Sequence, residues 1–211
     1  ALKQFVEQCL QKTTHDAVFL VSLQGGYYHT PAPYVEFAWF SIPYYFDQQM
    51  LSIPSKSEVE EQMALYIEDK LLDCASGFQH PSLSIRFGDP SVTVNLQPES
   101  VESNAKVSVY IRKGDQEIEL TSFRTQVPAE LGLALDMRDI LLELQQETPN
   151  EMPMSKYTRL LRDKNIFLDA RHFENTVLYN IIYPHSSFNS EDYVFTYAVK
   201  YDWSDDELPQ I

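Results

Sequence analysis

The sequence predicts an α+β fold, an antiparallel sheet packed against N-terminal and central helices. Apolar residues recur at helical spacing near the N-terminus, after Ser55 and after Ala129, whereas from Ser82 the period changes to two. The order is helices, strands, helix, strands, which is an α+β layout and not an alternating βαβ chain. The 211 residues suit one domain over 1–211, with a possible subdivision into 1–127 (helices plus β-meander) and 128–211 (helix plus C-terminal strands).

Residues 2–23 read as an amphipathic helix, with Phe5, Val6, Cys9 and Leu10 on one face and Ala17, Val18, Leu20 and Val21 continuing it. Gly25-Gly26 stops it, as a left-handed C-terminal position requires. Pro31, Pro33, Pro43 and Pro54 forbid a long helix in the segment that follows. Within it "YVEFAWFS" has strand character, with Val35, Phe37 and Trp39 on one face. A second helix begins after Ser55 or Ser57. Each serine has a glutamate three residues on, Glu58 and Glu60, so either can form a capping box. Val59, Met63, Tyr66, Ile67, Lys70, Leu71 and Cys74 then recur at helical spacing.

"SLSIRF", "SVTVNLQ", "KVSVYIR" and "EIELTSFRTQ" alternate apolar and polar residues, with turn signals at Gly88-Asp89-Pro90 and Lys113-Gly114-Asp115. Two consecutive hairpins forming a meander are expected. Helix returns from Ala129 to about Gln146 and, after Pro149 and Pro153, from Ser155 to Lys164. "NIFLDARHF", "TVLYNIIYP" and "DYVFTYAVKYDW" are three further strands, and the acidic tail is expected to fray.

The formal net charge is −15, from 31 acidic and 16 basic residues. Such a surface repels phosphate backbones, so no nucleic-acid partner is expected. Anionic membrane surfaces repel it too. No stretch reaches the roughly 18 apolar residues of a membrane span. The chain starts at Ala1, directly in a helical pattern, which leads us to expect a processed or trimmed chain whose membrane contact runs only through an upstream anchor.

Two cysteines, Cys9 and Cys74, cannot make a structural zinc site alone. The choice is two free buried thiols or one disulfide. A bridge would close a loop of about 65 residues and stabilise the fold by roughly 4 kcal/mol. We expect the disulfide, which favours an oxidising, extracytoplasmic location.

The common phosphate-binding, dinucleotide-binding, zinc-protease and serine-hydrolase motifs are absent. "DARHFE" brings Asp169, His172 and Glu174 together on an expected strand, with His172 and Glu174 sharing a face as a conceivable metal or acid–base pair, although a surface cross-strand pair is the plainer reading. Asp202, Asp205, Asp206 and Glu207 supply hard oxygen ligands but lack a calcium-loop spacing. No catalytic residue, metal ligand or cofactor is expected.

Aromatic residues are the strongest signal. Nine of the twenty residues from Tyr27 to Phe46 are aromatic, a third of the chain's total. Three readings compete: packing over the sheet, an interface for another chain, and a platform for sugar rings. The candidates for contact are Tyr27, Tyr28, Tyr34, Trp39, Tyr44 and Tyr45. If covering and contact coexist, Val35, Phe37 and Trp39 point inward and Tyr44 and Tyr45 outward.

Val6, Cys9, Leu10 and Ala17, followed by Leu23-Gln24-Gly25-Gly26-Tyr27, match a helix motif of the form V-x-x-C-L with Q-G-G-Y after it. "SIPYYF", the helix "EEQMALYIEDKLLDC" and the hairpins after it continue the match over about the first 125 residues. The chain thereby resembles archaeal envelope proteins of unknown function that begin with a membrane-spanning, pilin-like segment. The resemblance implies a membrane-anchored or secreted surface domain and no catalytic residues. The absent apolar N-terminal segment departs from that pattern. The leading expectation is a non-enzymatic, extracytoplasmic cell-surface domain acting through self-association or another envelope protein, in a filament or layer. A glycan- or peptide-binding module is the alternative, and a hydrolase the third class.

Overall fold

The computed structural model describes residues 1–47, 50–186, 188 and 191–203. Asp205, Asp206 and Glu207 of the expected acidic tail lie outside these residues.

Helix α1 runs Leu2–Leu23 and buries Val6, Leu10, Ala17, Val18 and Val21, as their spacing requires. Gly25 and Gly26 follow at φ +54° and +86°, and the Gly26 N–H returns to the Val21 carbonyl at 2.8 Å. A Cβ on Gly26 would stand 2.8 Å from Val59 Cγ2, so the turn needs glycine for space as well as for backbone angle. Helix α2, Lys56–Ala75, is capped by Ser55 and not Ser57. The Glu58 N–H donates to Ser55 Oγ at 3.2 Å, and the Ser55 N–H donates to Glu58 Oε2 at 2.7 Å. The Ser55 hydroxyl, donating to Glu58 Oε2 at 2.7 Å, and then the Ser55 N–H hold the Glu58 carboxyl below the usual carboxylate range. Cys9 and Cys74 are joined, Cα to Cα 5.6 Å, so the expected disulfide clamps α1 to the end of α2.

Strands β4 (Ser84–Phe87), β5 (Ser91–Gln97), β6 (Ser100–Lys113) and β7 (Gln116–Pro128) form one sheet. The expected hairpin between the first two does not exist. β4 and β5 lie end to end along one edge of β6, β5 opposite Ser100–Lys106 and β4 opposite Val109–Arg112, while β7 follows the other edge. Gly88-Asp89-Pro90 is therefore an interruption within one long edge. Gly88 donates to Ser108 O at 2.8 Å, where the β6–β7 register also slips. That slip is a bulge, with Val107 and Ser108 set against one residue of β7. The β6–β7 hairpin turns at Gly114-Asp115 as expected.

The second sheet has the order β1 (Tyr34–Phe37), β2 (Phe40–Asp47), β10 (Tyr193–Lys200), β9 (Thr176–Tyr183), β8 (Phe167–Phe173), with β3 (Met50–Leu51) on β2. All its pairs are antiparallel except β2–β10, which is parallel. Residues 34–41 do not form one strand: Phe37 pairs with Phe40, so the chain turns back at Ala38-Trp39. Helices α3 (Leu131–Glu147) and α4 (Met154–Leu161) complete the fold. Gly132 of α3 sits against the β5–β6 turn, where a Cβ would be 2.3 Å from Gln97 O.

One cluster of buried side chains runs from α1 and α2 through the inner faces of both sheets to α3 and α4. Each fully buried Val, Leu, Ile or Phe in it contributes roughly 1.5–3 kcal/mol. Its centre on the β8–β10 side is aromatic. Tyr45, Tyr197 and Tyr179 stack in sequence at 5.1 and 5.5 Å, and Tyr179 shares a 2.6 Å bond with the Tyr201 hydroxyl, which donates to Gln145 Oε1.

Candidate functional site

The β1–β2 hairpin leaves the sheet and folds back across its outer face. β2 pairs with β10 only from Tyr44 onward. Before that, Val35, Phe37, Phe40 and Tyr44 pack against Ile42, Leu178 and Ala198, which face away from the main core. The Phe37 ring meets Phe173 on the far edge strand at 5.7 Å, and Tyr44 Oη lies 3.1 Å from Thr176 Oγ1.

Between hairpin and sheet is a groove of about 300 Å³. Phe37, Phe40, Ile42, Leu178 and Val194 make it apolar. Its floor carries one polar row across three strands. Thr196 Oγ1 donates to Asn180 Oδ1 at 2.8 Å, and Asn180 Nδ2 and Arg171 Nε donate to Asp169 Oδ2 at 3.2 and 2.9 Å. Asp169, Asn180 and Thr196 are direct register partners, so the row is a cross-strand ladder. An apolar cleft with a few fixed polar groups is the usual form of a binding site.

The tip of the hairpin is Ala38-Trp39. Ala38 has φ +54°, where glycine is the ordinary occupant of a two-residue hairpin turn. Trp39 is 94% exposed. This corrects the expectation that Trp39 points inward with Val35 and Phe37: the turn ends the alternation at Phe37. Tyr45, expected to point outward, is fully buried. Its ring stacks on Tyr197 with the Arg138 guanidinium 5.5 Å above, and its hydroxyl donates to Gly25 O at 2.5 Å. Tyr44 and Tyr45 are neighbours on one strand and must face opposite sides. Burial raises the Tyr45 phenol far above the ordinary tyrosine range.

Tyr27 and Tyr28 are tethers to the helices and not part of the groove. The Gln24 side chain donates to both of their carbonyls, and Gln62 Oε1 accepts from the Tyr28 and His29 N–H groups. The Tyr28 hydroxyl donates to Asp69 Oδ2 at 2.7 Å, which raises its pKa. Burial raises that of half-buried Tyr27. Tyr34 is exposed on β1, and Phe167 and Phe173 are exposed on β8.

Contrary to the sequence expectation, Glu174 does not share a strand face with His172. Glu174 sits past the end of β8 at φ +53°, in the β8–β9 turn. Among the described residues no group of three His, Cys, Asp or Glu side chains can hold a metal ion.

Sequence reading missed the polar floor. Its signal was present: Asn180 and Thr196 each interrupt an otherwise apolar strand, and pairing β9 with β10 sets them opposite each other. Compared with known proteins, the chain matches no protein-family profile, no curated protein and no solved structure.

Proposed function

We propose that this chain is a non-enzymatic extracytoplasmic recognition domain that works by protein–protein contact at the cell surface, through the Ala38-Trp39 tip and the groove behind it. The observation that carries the reading is Trp39, 94% exposed at the end of a hairpin anchored on a sheet. Tryptophan offers a large rigid contact area and recurs at interface hot spots. Tyr34 on the same hairpin and Phe173, which meets Phe37, are also exposed. The Cys9–Cys74 bridge supports an oxidising compartment. Among the described residues no helix is long and apolar enough to cross a membrane.

The partner is a second copy of this chain or another envelope protein, and salt separates the two. Net charge −15 makes copies repel, so self-association tightens as salt rises, whereas a cationic partner loosens. A photo-crosslinking residue at Tyr34, used in the producing cells, tests the reading. Adducts are expected there, fewer with Trp39→Ala, and none from a photo-residue at Ile118, exposed on β7. Equal adducts from both sites, or none from either, would refute it.

The polar floor favours a second reading, a module that takes a peptide or glycan into the groove. Array binding lost in both Trp39→Ala and Asn180→Ala supports that reading; binding indifferent to Asn180 removes it.

A further inference from the structure

The edge that β5 and β4 share along β6 is closed over one half and open over the other. Gln97 and Ser100 close a two-residue turn, so the bonded residues of β5 are Gln97, Asn95, Thr93 and Ser91. Val92, Val94 and Leu96 turn their N–H and C=O groups away from β6. Carboxylates of α2 take two of those donors. The Val92 N–H donates to Glu68 Oε1 at 2.7 Å, and the Leu96 N–H donates to Glu60 Oε1 at 2.8 Å. Each carboxylate oxygen stands where the carbonyl of a further strand would stand, and the helix covers this half of the edge.

The same alternation runs through β4. The Gly88 N–H donates to Ser108 O, its direct partner, so Arg86 and Ser84 also bond to β6 and Ile85 and Phe87 turn away from it. No carboxylate arrives here. Glu60 meets Leu96 and Glu68 meets Val92, so α2 runs opposite to β5, and it ends at Ala75. Seven residues of helix carry it about 10 Å past Glu68, whereas Gly88 lies about 13 Å past Val92. The helix therefore stops short of β4. The backbone groups that Ile85 and Phe87 turn away from β6 have no hydrogen-bond partner among the described residues. The side chains of both pack at the margin of the main core.

We propose that the β4 edge takes an extended segment of another protein as a further antiparallel strand of this sheet, through an apolar–acidic–apolar run. Main-chain bonds hold such a strand, and its alternate side chains give it specificity. The two residues bonded to Ile85 and Phe87 share their face and extend the core, which makes them apolar. The residue between them stands opposite Arg86, in a non-bonded pair where side chains come closest. Arg86 is exposed, and its guanidinium lies 5.1 Å from the Tyr110 ring centroid. On a chain of net charge −15 it makes no ion pair among the described residues. A carboxylate opposite it supplies that pair. A second copy is the poorer occupant, because pairing two β4 edges through Ile85 and Phe87 of each sets Arg86 against Arg86.

The test uses the whole 15N-labelled chain and the peptide acetyl-Thr-Val-Glu-Val-Thr-amide, followed by NMR. Saturable shifts of the Ile85 and Phe87 amides are expected, with slowed hydrogen exchange at both. The counterpart acetyl-Thr-Val-Lys-Val-Thr-amide should bind roughly two- to fivefold more weakly, and Arg86→Gln should erase that difference. N-methylation of both valines removes the donors, keeps the side chains and should abolish binding. Trp39→Ala should leave binding unchanged, so the result stands apart from the role of the hairpin tip. Unmoved Ile85 and Phe87 amides, equal binding of the N-methylated peptide, or no preference for glutamate over lysine would overturn the proposal. Shifts of the same amides with protein concentration alone would also overturn it, assigning the edge to a second copy.

Discussion

The Phe37 ring touches Phe173 at 5.7 Å, although the two residues belong to strands at opposite edges of one sheet. The hairpin thus spans the outer face, held at its far end by an aromatic contact and along its length by Ile42, Leu178 and Ala198. Phe37 and Trp39, two positions apart, therefore carry opposite roles. Phe37→Ala should cost about 1–3 kcal/mol in urea unfolding, through lost burial and a wider groove. Trp39→Ala should stay within about 0.5 kcal/mol of the parent, since it removes surface that water already reaches. A melting loss for Trp39→Ala as large as for Phe37→Ala would place the indole in the fold and not in recognition.

Ala38 occupies φ +54°, a region costing a non-glycine residue about 1–2 kcal/mol. Glycine relieves that cost but adds freedom to the unfolded chain, an offset of roughly 0.5–1 kcal/mol. Ala38→Gly should therefore raise the unfolding free energy by about 0.5 kcal/mol net, and the urea midpoint slightly with it. If the turn is held strained to aim Trp39, the same change should reduce Tyr34 crosslinking while stabilising the fold. A lower midpoint would show that the turn is not strained.

The hairpin also marks where the sequence stops being readable. Helix α2 was legible because its capping box is local: Ser55 and Glu58 need no distant partner. The Cys9–Cys74 pairing was legible because only two cysteines exist, both on helical faces. The Ala38-Trp39 turn was not, because neither residue is Gly, Asn or Asp, the usual markers of a two-residue turn. Missing it carried the alternation two residues too far and put Trp39 inside. Gly88-Asp89-Pro90 misled in the opposite way. It has turn chemistry, yet β4 and β5 both find their partner in β6, and no local signal reports a shared third strand. The groove floor needed the β8–β9–β10 pairing before Asp169, Asn180 and Thr196 could be seen as one row.

The bridge between Cys9 and Cys74 closes a loop of 65 residues. Chain entropy predicts a contribution of about 4 kcal/mol for a loop this long. Cys9→Ser with Cys74→Ser, or the parent in dithiothreitol, should lower the unfolding free energy by that order. Mass spectrometry of the native unreduced protein should find no alkylatable thiol, since the described cysteines are both bridged. Two alkylated thiols would remove the main support for an oxidising compartment.

Seven of the thirteen tyrosines, Tyr45, Tyr157, Tyr179, Tyr183, Tyr193, Tyr197 and Tyr201, have phenols raised well above 10, in each case chiefly by burial. Their folded pKa values exceed those of the unfolded chain, where tyrosine ionises near 10. The unfolded state then binds fewer protons above that pH, so stability is fully present below about pH 10 and is lost as pH rises toward the folded values. Each buried tyrosine adds a slope of roughly −1.4 kcal/mol per pH unit in that window. Seven acting together should make alkaline unfolding abrupt. Absorbance at 295 nm should show a steep step coincident with loss of far-ultraviolet circular dichroism as these seven phenols ionise. Tyr45→Phe should leave the step in place with smaller amplitude, because it removes one phenol and keeps the stacked ring. A smooth titration of these seven near pH 10, with the fold intact, would contradict the buried aromatic core on which the hairpin is seated.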